Sequence, residues 1–518
     1  MERFRACLSE NISLGQYFPD EQAALLNKGK REKRITLNSL TEDFVFNRGV
    51  GIPGSKQYKT QKLPCDIGNA DELRLLYSKF EAQNEEGFDT ILRIGGNIVC
   101  ASVYLNGYHV ANIENTFMFT QINITDYLTD TNNLFIKFEN NPYNDYDTVR
   151  SISIVYLPKS RITDLYLRNR LSDNLAEVYA DVTVVSGDIS AALGGMVTLS
   201  VYDRKNIIAE TTAPVPAFQR NHWTVIRLSF KLKTPRLWSI GDPHRYMLML
   251  KYHNADGTIS DIRIIKHGIR ELRFDRYNKK KNKGPEFCVN GFPVKIIGAV
   301  IRNQDILLPK KLKSAGFNAV RVINPNSMPF LEACENEGLL VMSEVKYGLA
   351  AGKRRKRKNA DLADPLSYPF ALTGEMITHL KNHASVFCWS IGGRKYFGNR
   401  VIGEFIRSMD DTRAVNCEGD TFFMISDFFS ASDCGLDEMS AIAARRTVSD
   451  GRFFGTRIRF KEYKNHPLLL CEADADSEVI KEKFVFANST EGILGIFINI
   501  EEDGNIDSLG EFINHTAS

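Results

Sequence analysis

The chain has 518 residues, too many for one ordinary core at roughly 150 residues per domain, which suggests three domains. Its 43% apolar and 25% charged residues are ordinary for a globular protein, and a net charge of +3 creates no global field for nucleic acid or membrane. The nine cysteines are scattered with no C-x-x-C pair, which reads as buried thiols in a reducing compartment, not a disulfide framework or zinc site.

Met1 to Arg5 lead into a polar stretch with no apolar signal-peptide core, and no apolar run approaches membrane-spanning length. A cytoplasmic protein is therefore the expectation. From about residue 75 to 160, short apolar runs separated by turn residues predict strands at Thr90–Ile94, Ala101–Leu105, Phe117–Ile124, Leu134–Phe138 and Ser151–Leu157. Asn106-Gly107 predicts a two-residue type I′ hairpin turn, where both positions need positive φ. This is the pattern of a β-sandwich, jelly-roll-like, assigned to residues 1–160.

Residues 161–275 carry about six to seven further strands, including Ile162–Leu167, Val178–Val185, Met196–Tyr202, Trp223–Leu232, Tyr246–Tyr252 and Ile259–Lys266. Asp256-Gly257 marks another hairpin, and the whole suggests an immunoglobulin-like sandwich without the Cys…Trp…Cys spacing. After the basic linker Tyr277–Lys283, short apolar strands (Val294–Ile297, Ala319–Val322, Leu339–Met342, Val386–Trp389, Leu468–Cys471) alternate with helical runs such as Leu308–Ala315 and Met328–Glu337. Alternation of this kind over residues 276–518 predicts a (β/α)8 TIM-type barrel, with Thr421–Gly451 leaving open whether all eight strands are present.

Ser102–Gly107, Leu237–Ser239 and Phe287–Lys295, taken in this order, resemble motifs of glycoside hydrolase family 2, the group of β-galactosidases and β-glucuronidases. Ser102-Val103-Tyr104-Leu105-Asn106-Gly107 through Leu128 is similar to its sugar-binding domain, and Val149 to Val155 to its "YRSVSLVY" strand. Leu237-Trp238-Ser239 with Asp242-Pro243 and Tyr246 resembles "LWSPEDPxxY", and Phe287 to Lys295 resembles the "FxLNGKPVKLRG" entry into the barrel. Gly316 to Arg321, Gly338 to Val341 and Asp411 to Gly419 follow in the family's order. The resemblance implies a galactose-binding-like β-sandwich, an immunoglobulin-like sandwich and a catalytic barrel.

A retaining glycosidase of this kind needs two carboxyl groups about 5–5.5 Å apart, a nucleophile and an acid/base. The resemblance puts the nucleophile at Glu472, at the end of the apolar run Pro467–Cys471, which is similar to "RPLILCEY" although Ala473 stands where many relatives have Tyr. The acid/base should follow Trp389-Ser390-Ile391-Gly392, similar to "WSLGNE", but the chain continues Gly393-Arg394. A guanidinium cannot release a proton near neutral pH. By the same resemblance Arg302, Asn303, Arg321, Asn324 and Trp389 are candidate substrate contacts. Asn303 occupies a His position of "NRHE", and Ile323-Asn324-Pro325 replaces part of "RTSHYP".

Where β-galactosidases run "DEANIETHG" with magnesium ligands, Ser343 to Ala350 puts apolar residues or Gly at both ligand positions, so no metal and no cofactor are expected. Asp305, Glu344 and Glu418 read as structural carboxylates, and the distant Glu404 as a remote substitute acid. His379 and His383, four apart on a predicted helix, read as surface histidines. The basic run Lys353–Lys358 reads as a solvated loop, or a docking patch for an anionic partner or polysaccharide; without interleaved aromatics it is no nucleic-acid site.

Three functions follow in order: a family 2-like protein with an impaired site, a non-catalytic carbohydrate-binding or assembly protein, and an active β-glycosidase using a substitute acid. A β-linked glycoside is the expected ligand, with no nucleic acid or membrane partner. A homo-oligomer stays open, since relatives commonly associate.

Overall fold

A computed structural model describes residues 75–138, 147–187, 194–219, 222–275, 285–346, 367–392, 399–418, 425–431, 435–444, 468–473, 477–500 and 506–517. Short strand pieces at 32–34, 37–40, 58–61, 65–67, 448–449 and 457–458, and the single residues 22, 63 and 420, complete the description.

The first domain is a β-sandwich built on one long strand, Phe88–Leu105. Its first half pairs with Asp147–Pro158 and Phe119–Asn123 in one sheet; its second half pairs with Tyr108–Thr116 and Asn132–Phe138 in the other. The sequence suggested two strands here because Gly95-Gly96 reads as a break. The glycines are instead where the strand passes between sheets: a Cβ on Gly96 would collide with the backbone of Thr148. Asn106 (φ 52°) and Gly107 (φ 86°) form the expected hairpin turn.

The second domain packs the three-stranded sheet Arg161–Ser172, Leu175–Val185, Trp223–Lys233 against a four-stranded one, Asn206–Val215, Gly195–Asp203, Tyr246–Asn254, Ile259–His267. Alternate residues such as Val178, Val182, Leu199 and Leu250 point inward and form a core of their own.

In the third domain eight parallel strands form the barrel: β1 Ile296–Ile301, β2 Ala319–Ile323, β3 Leu340–Lys346, β4 Val386–Gly392, β5 Ala414–Cys417, β6 Phe429–Ala431, β7 Leu468–Ala473 and β8 Ile493–Asn499. Apart from β5 and β6, each pairs with its neighbour in chain order and β8 returns to β1. Between β5 and β6 no ladder forms among the described residues, but Asp427 N–H donates to Val415 O at 2.9 Å and brings the ends together. The outer layer includes α1 Leu308–Ser314, α2 Met328–Asn336, α3 Ser367–Leu380, α4 Asn399–Met409, α5 Leu436–Ala443, α6 Ser477–Ser489 and α7 Ile506–Ala517. No helix among the described residues is long and apolar enough to cross a membrane. Cys288, Cys334, Cys388 and Cys417 are buried and Cys100 is half-buried, with no disulfide among the described residues.

The N-terminal end of the barrel is closed by the hairpin Leu272–Asp275/Glu286–Val289, whose Phe274 and Phe287 stack on Phe387 and Phe428. Strand β8 passes β1 through Gly495, whose φ of 145° and close approach to the Ile296 backbone exclude a Cβ. Gly495→Ala is expected to lower unfolding stability by at least about 1–3 kcal/mol, measured by urea denaturation; an unchanged midpoint would refute this.

Candidate active site

With one end plugged, the polar chemistry of the barrel lies at the C-terminal end, as in barrels of this type. Side chains along each strand alternate between the barrel axis and the helical layer. On β2, Ala319 and Ile323 belong to the axial core while Val320 and Val322 pack under the helices, which places Arg321 on the axis. Glu344 on β3, Ser390 on β4 and Asn416 on β5 join it there through hydrogen bonds.

Arg321 and Glu344 are fully buried. Arg321 Nε and Nη2 donate to Glu344 Oε2 at 2.8 and 2.7 Å, and Nη2 also reaches Glu418 Oε2 at 3.2 Å. Ser390 Oγ donates to Glu344 Oε2 at 2.9 Å, and Asn416 Nδ2 donates to Ser390 Oγ at 3.2 Å. Two buried acceptors of this layer, Glu344 Oε1 and Asn416 Oδ1, have no hydrogen-bond partner among the described residues. Such atoms normally face water or a ligand that donates.

The remaining candidates fall in different places. Arg302 and Asn303 lie exposed on the rim, with Arg302 Nη1 donating to Asn499 Oδ1 at 2.9 Å across β1 and β8. Asn324, at φ 49°, spends its side chain structurally: its Oδ1 accepts from Lys346 N–H at 2.9 Å, and Gln304 Nε2 donates to its carbonyl at 3.1 Å. Trp389 faces away from the axis. Its fully buried indole sits in the core of the helical layer, donates from Nε1 to Asp410 Oδ2 at 2.8 Å and lies beneath the Arg413 guanidinium. The expectation of a substrate contact at Trp389 is corrected accordingly. Asp305 is exposed and accepts from Leu307 N–H at 3.0 Å, while Glu404 pairs with Arg400 on the exposed face of α4 at 3.0 Å.

Glu472 belongs to β7, near its C-terminal end, where the pairing with β8 is irregular between Leu470 and Ala473. Its side chain lies outside the described residues. So do Arg394, two residues beyond the end of β4, residues 347–350 and the basic run 353–358.

The histidine expectation is also corrected. His379 and His383 are buried, because α3 and the turn after it are covered by the two sandwiches. His383 Nδ1 lies 3.0 Å from Glu335 Oε2, and Arg245 Nη1 donates to the same oxygen at 2.9 Å. Burial opposes ionisation of Glu335, yet His383, Arg245 and the Ala384 N–H outweigh it and hold the carboxyl at about 2. Burial pushes His379 down to about 3, helped by Lys381 and Arg93. Asp410, gathering Trp389, Thr412, Arg413 and Tyr166, is likewise held at about 2 despite its burial.

Reading from sequence alone missed Ser390 and Asn416. The available signal was a polar residue inside each apolar strand, Trp389-Ser390-Ile391 and Val415-Asn416-Cys417. Among the described residues, three potential metal-ligand atoms converge only at Asp275, Glu286 and Cys288, at the plugged end, where Arg273 already pairs with Asp275 at 2.8 Å.

Comparison with known proteins covers both sandwiches and most of the barrel. Residues 75–171 match the glycosyl hydrolase 2 galactose-binding domain-like model, 160–270 the glycosyl hydrolases family 2 model and 294–480 the family's TIM barrel domain. The β-galactosidase large subunit of Lactobacillus helveticus is 24% identical over 361 residues, 64% of this chain and 56% of that protein. Among solved structures, a family 2 member from Bacteroides cellulosilyticus superposes with TM-score 0.70 at 18% identity, covering 91% of this chain and 65% of the other. The β-glucuronidase of Bacteroides uniformis gives TM-score 0.72 at 14% identity over 90% of this chain and 64% of its own. A β-galacturonidase from Eisenbergiella tayi gives 0.65 at 18%, covering 90% and 88%. This chain therefore spans just over half the length of the curated relative and under two thirds of the first two structures. Three models of one family fall in succession on the two sandwiches and the barrel, and the same architecture recurs in its solved members: the chain belongs to glycoside hydrolase family 2.

Proposed function

We propose that this chain engages a β-linked glycoside at the open end of its barrel and hydrolyses it weakly or not at all. The observation that carries this reading is Arg394, two residues beyond β4, at the position where the family motif supplies its proton donor. Loss of a general acid costs about 10²–10⁴ in rate, and more with a poor leaving group. Among the described residues, the carboxylates at the mouth are already engaged. Glu344 and Glu418 both bind the Arg321 guanidinium, and Glu344 is enclosed. The domain limits 1–160, 161–275 and 276–518 are part of the same reading, supported by separate cores in each sandwich.

Aryl β-galactosides and β-glucuronides with good and poor leaving groups, assayed with and without azide, test it. Turnover should be confined to activated substrates, rise with azide, which needs no base to attack a glycosyl-enzyme, and vanish in Glu472→Ala. Comparable turnover of poor leaving groups would sink the proposal. Sugar binding by calorimetry without any turnover would favour the non-catalytic carbohydrate-binding reading instead.

A further inference from the structure

Both sandwiches hold the same short piece of the barrel. From the first, the turn at Thr116–Phe119 receives the carboxylate of Glu375 on α3. Thr116 Oγ1 donates at 2.7 Å, and the N–H groups of Phe117, Met118 and Phe119 donate at 2.9, 3.1 and 2.9 Å. Successive backbone N–H groups converging on an anion form a nest, and here the anion is a side chain of another domain. Arg150 Nη2 donates to the Phe117 carbonyl behind it. Phe117 and Met118 then enter the helical-layer core beside Met376 and Leu380.

From the second sandwich, Asp164 pairs with Lys381 at 2.6 Å. Asn382 accepts from Leu167 N–H at 2.9 Å and donates to Leu165 O at 2.7 Å. Arg270 donates to the carbonyls of Ala384 and Val386. The piece so held, 375–386, runs directly into β4, which delivers Ser390 to Glu344 and ends two residues before Arg394.

We propose that the α3–β4 segment is the element through which the first sandwich sets the position of β4 and of the polar layer at the barrel mouth, with Glu375 as the positioning residue. Close packing leaves such a segment little freedom to adjust to one neighbour without shifting at the other. This holds whether or not the mouth hydrolyses anything, so it stands apart from the proposed function.

The three tryptophans make it testable: Trp389 sits on β4, Trp238 at the plugged end and Trp223 on the exposed face of the second sandwich. Full-length protein labelled with 5-fluorotryptophan would be compared by ¹⁹F NMR and amide hydrogen exchange as wild type, Glu375→Gln and the milder Thr116→Val. Thr116→Val removes one donor of four and keeps the shape, so it serves should Glu375→Gln fail to fold. The Trp389 resonance should move while Trp223 stays, and exchange over 386–392 should quicken by about tenfold along with 116–119. Change confined to 116–119 would overturn the proposal. Equal quickening in β2 would do so too, since it would mark general loss of stability and not positioning.

Discussion

An Arg321→Met variant is expected to lose about 3–5 kcal/mol of unfolding free energy, because it strands a buried carboxylate. Arg321 and Glu344 have side-chain exposures of 1% and 0%, so neither can turn to solvent when its partner is removed. With the guanidinium gone, among the described residues Glu344 Oε2 keeps only the Ser390 hydroxyl as donor, and its other oxygen has no partner. The double variant Arg321→Met/Glu344→Leu should recover most of the loss, since a buried ion pair often contributes little beyond an apolar pair of similar volume. Equilibrium urea unfolding of the two single variants and the double variant decides the matter. A single-variant loss below about 1 kcal/mol would show that water reaches the pair.

Acidification should destabilise the protein steeply, beginning well above the carboxylate range. Burial holds His267 at about 4 and His379 at about 3, against an ordinary 6.5. A histidine kept neutral in the fold takes up its proton more readily when unfolded. Its contribution is therefore fully present above pH 6.5 and is lost as pH falls toward 4 for His267 and 3 for His379. For two fully buried groups the sum is on the order of several kcal/mol. Glu335 and Asp410, held at about 2, add to the loss as pH falls from about 4.5 toward 2. Glu375 runs the other way: burial raises it, more than its four donors lower it, so its contribution declines as pH rises through its raised value. The histidines dominate the window between pH 6.5 and 4. Urea midpoints should fall across that window, and His379→Gln should flatten the profile; a midpoint constant from pH 7 to 4.5 would contradict the assignment.

The architecture was legible because it is written in periodicities and turn residues. Alternation along Leu175–Val185 and Trp223–Lys233, and the Asn106-Gly107 and Asp256-Gly257 turns, are local signals, and the structure keeps them. The site was less legible, since a strand's phase decides which residues face the axis. On β4 that phase is reset by a pairing irregularity, where Val386 and Cys388 face the successive residues Val341 and Met342 of β3 and Phe387 is skipped, which no short motif reveals. A motif match thus drew attention to Trp389 when its neighbour Ser390 is the one that turns inward. The buried histidines were missed for a different reason. The outer side of α3 and the turn after it are held by two other domains, and the chain's local pattern records only what a helix does within its own barrel. Strand β6, three residues long, is too short for any periodicity to show.

The strand Phe88–Leu105 also bears on how the first sandwich responds to force. Two sheets stacked as separate layers can part like the covers of a book. Here one unbroken backbone crosses from layer to layer, so it acts as a spine that both covers share. Parting them would strip ladder bonds from Asp147–Pro158 on one side and from Asn132–Phe138 on the other at once. A pull applied at the Thr116–Phe119 turn thus reaches both layers, because the strands on either side of the turn, Tyr108–Thr116 and Phe119–Asn123, pair with opposite halves of that spine.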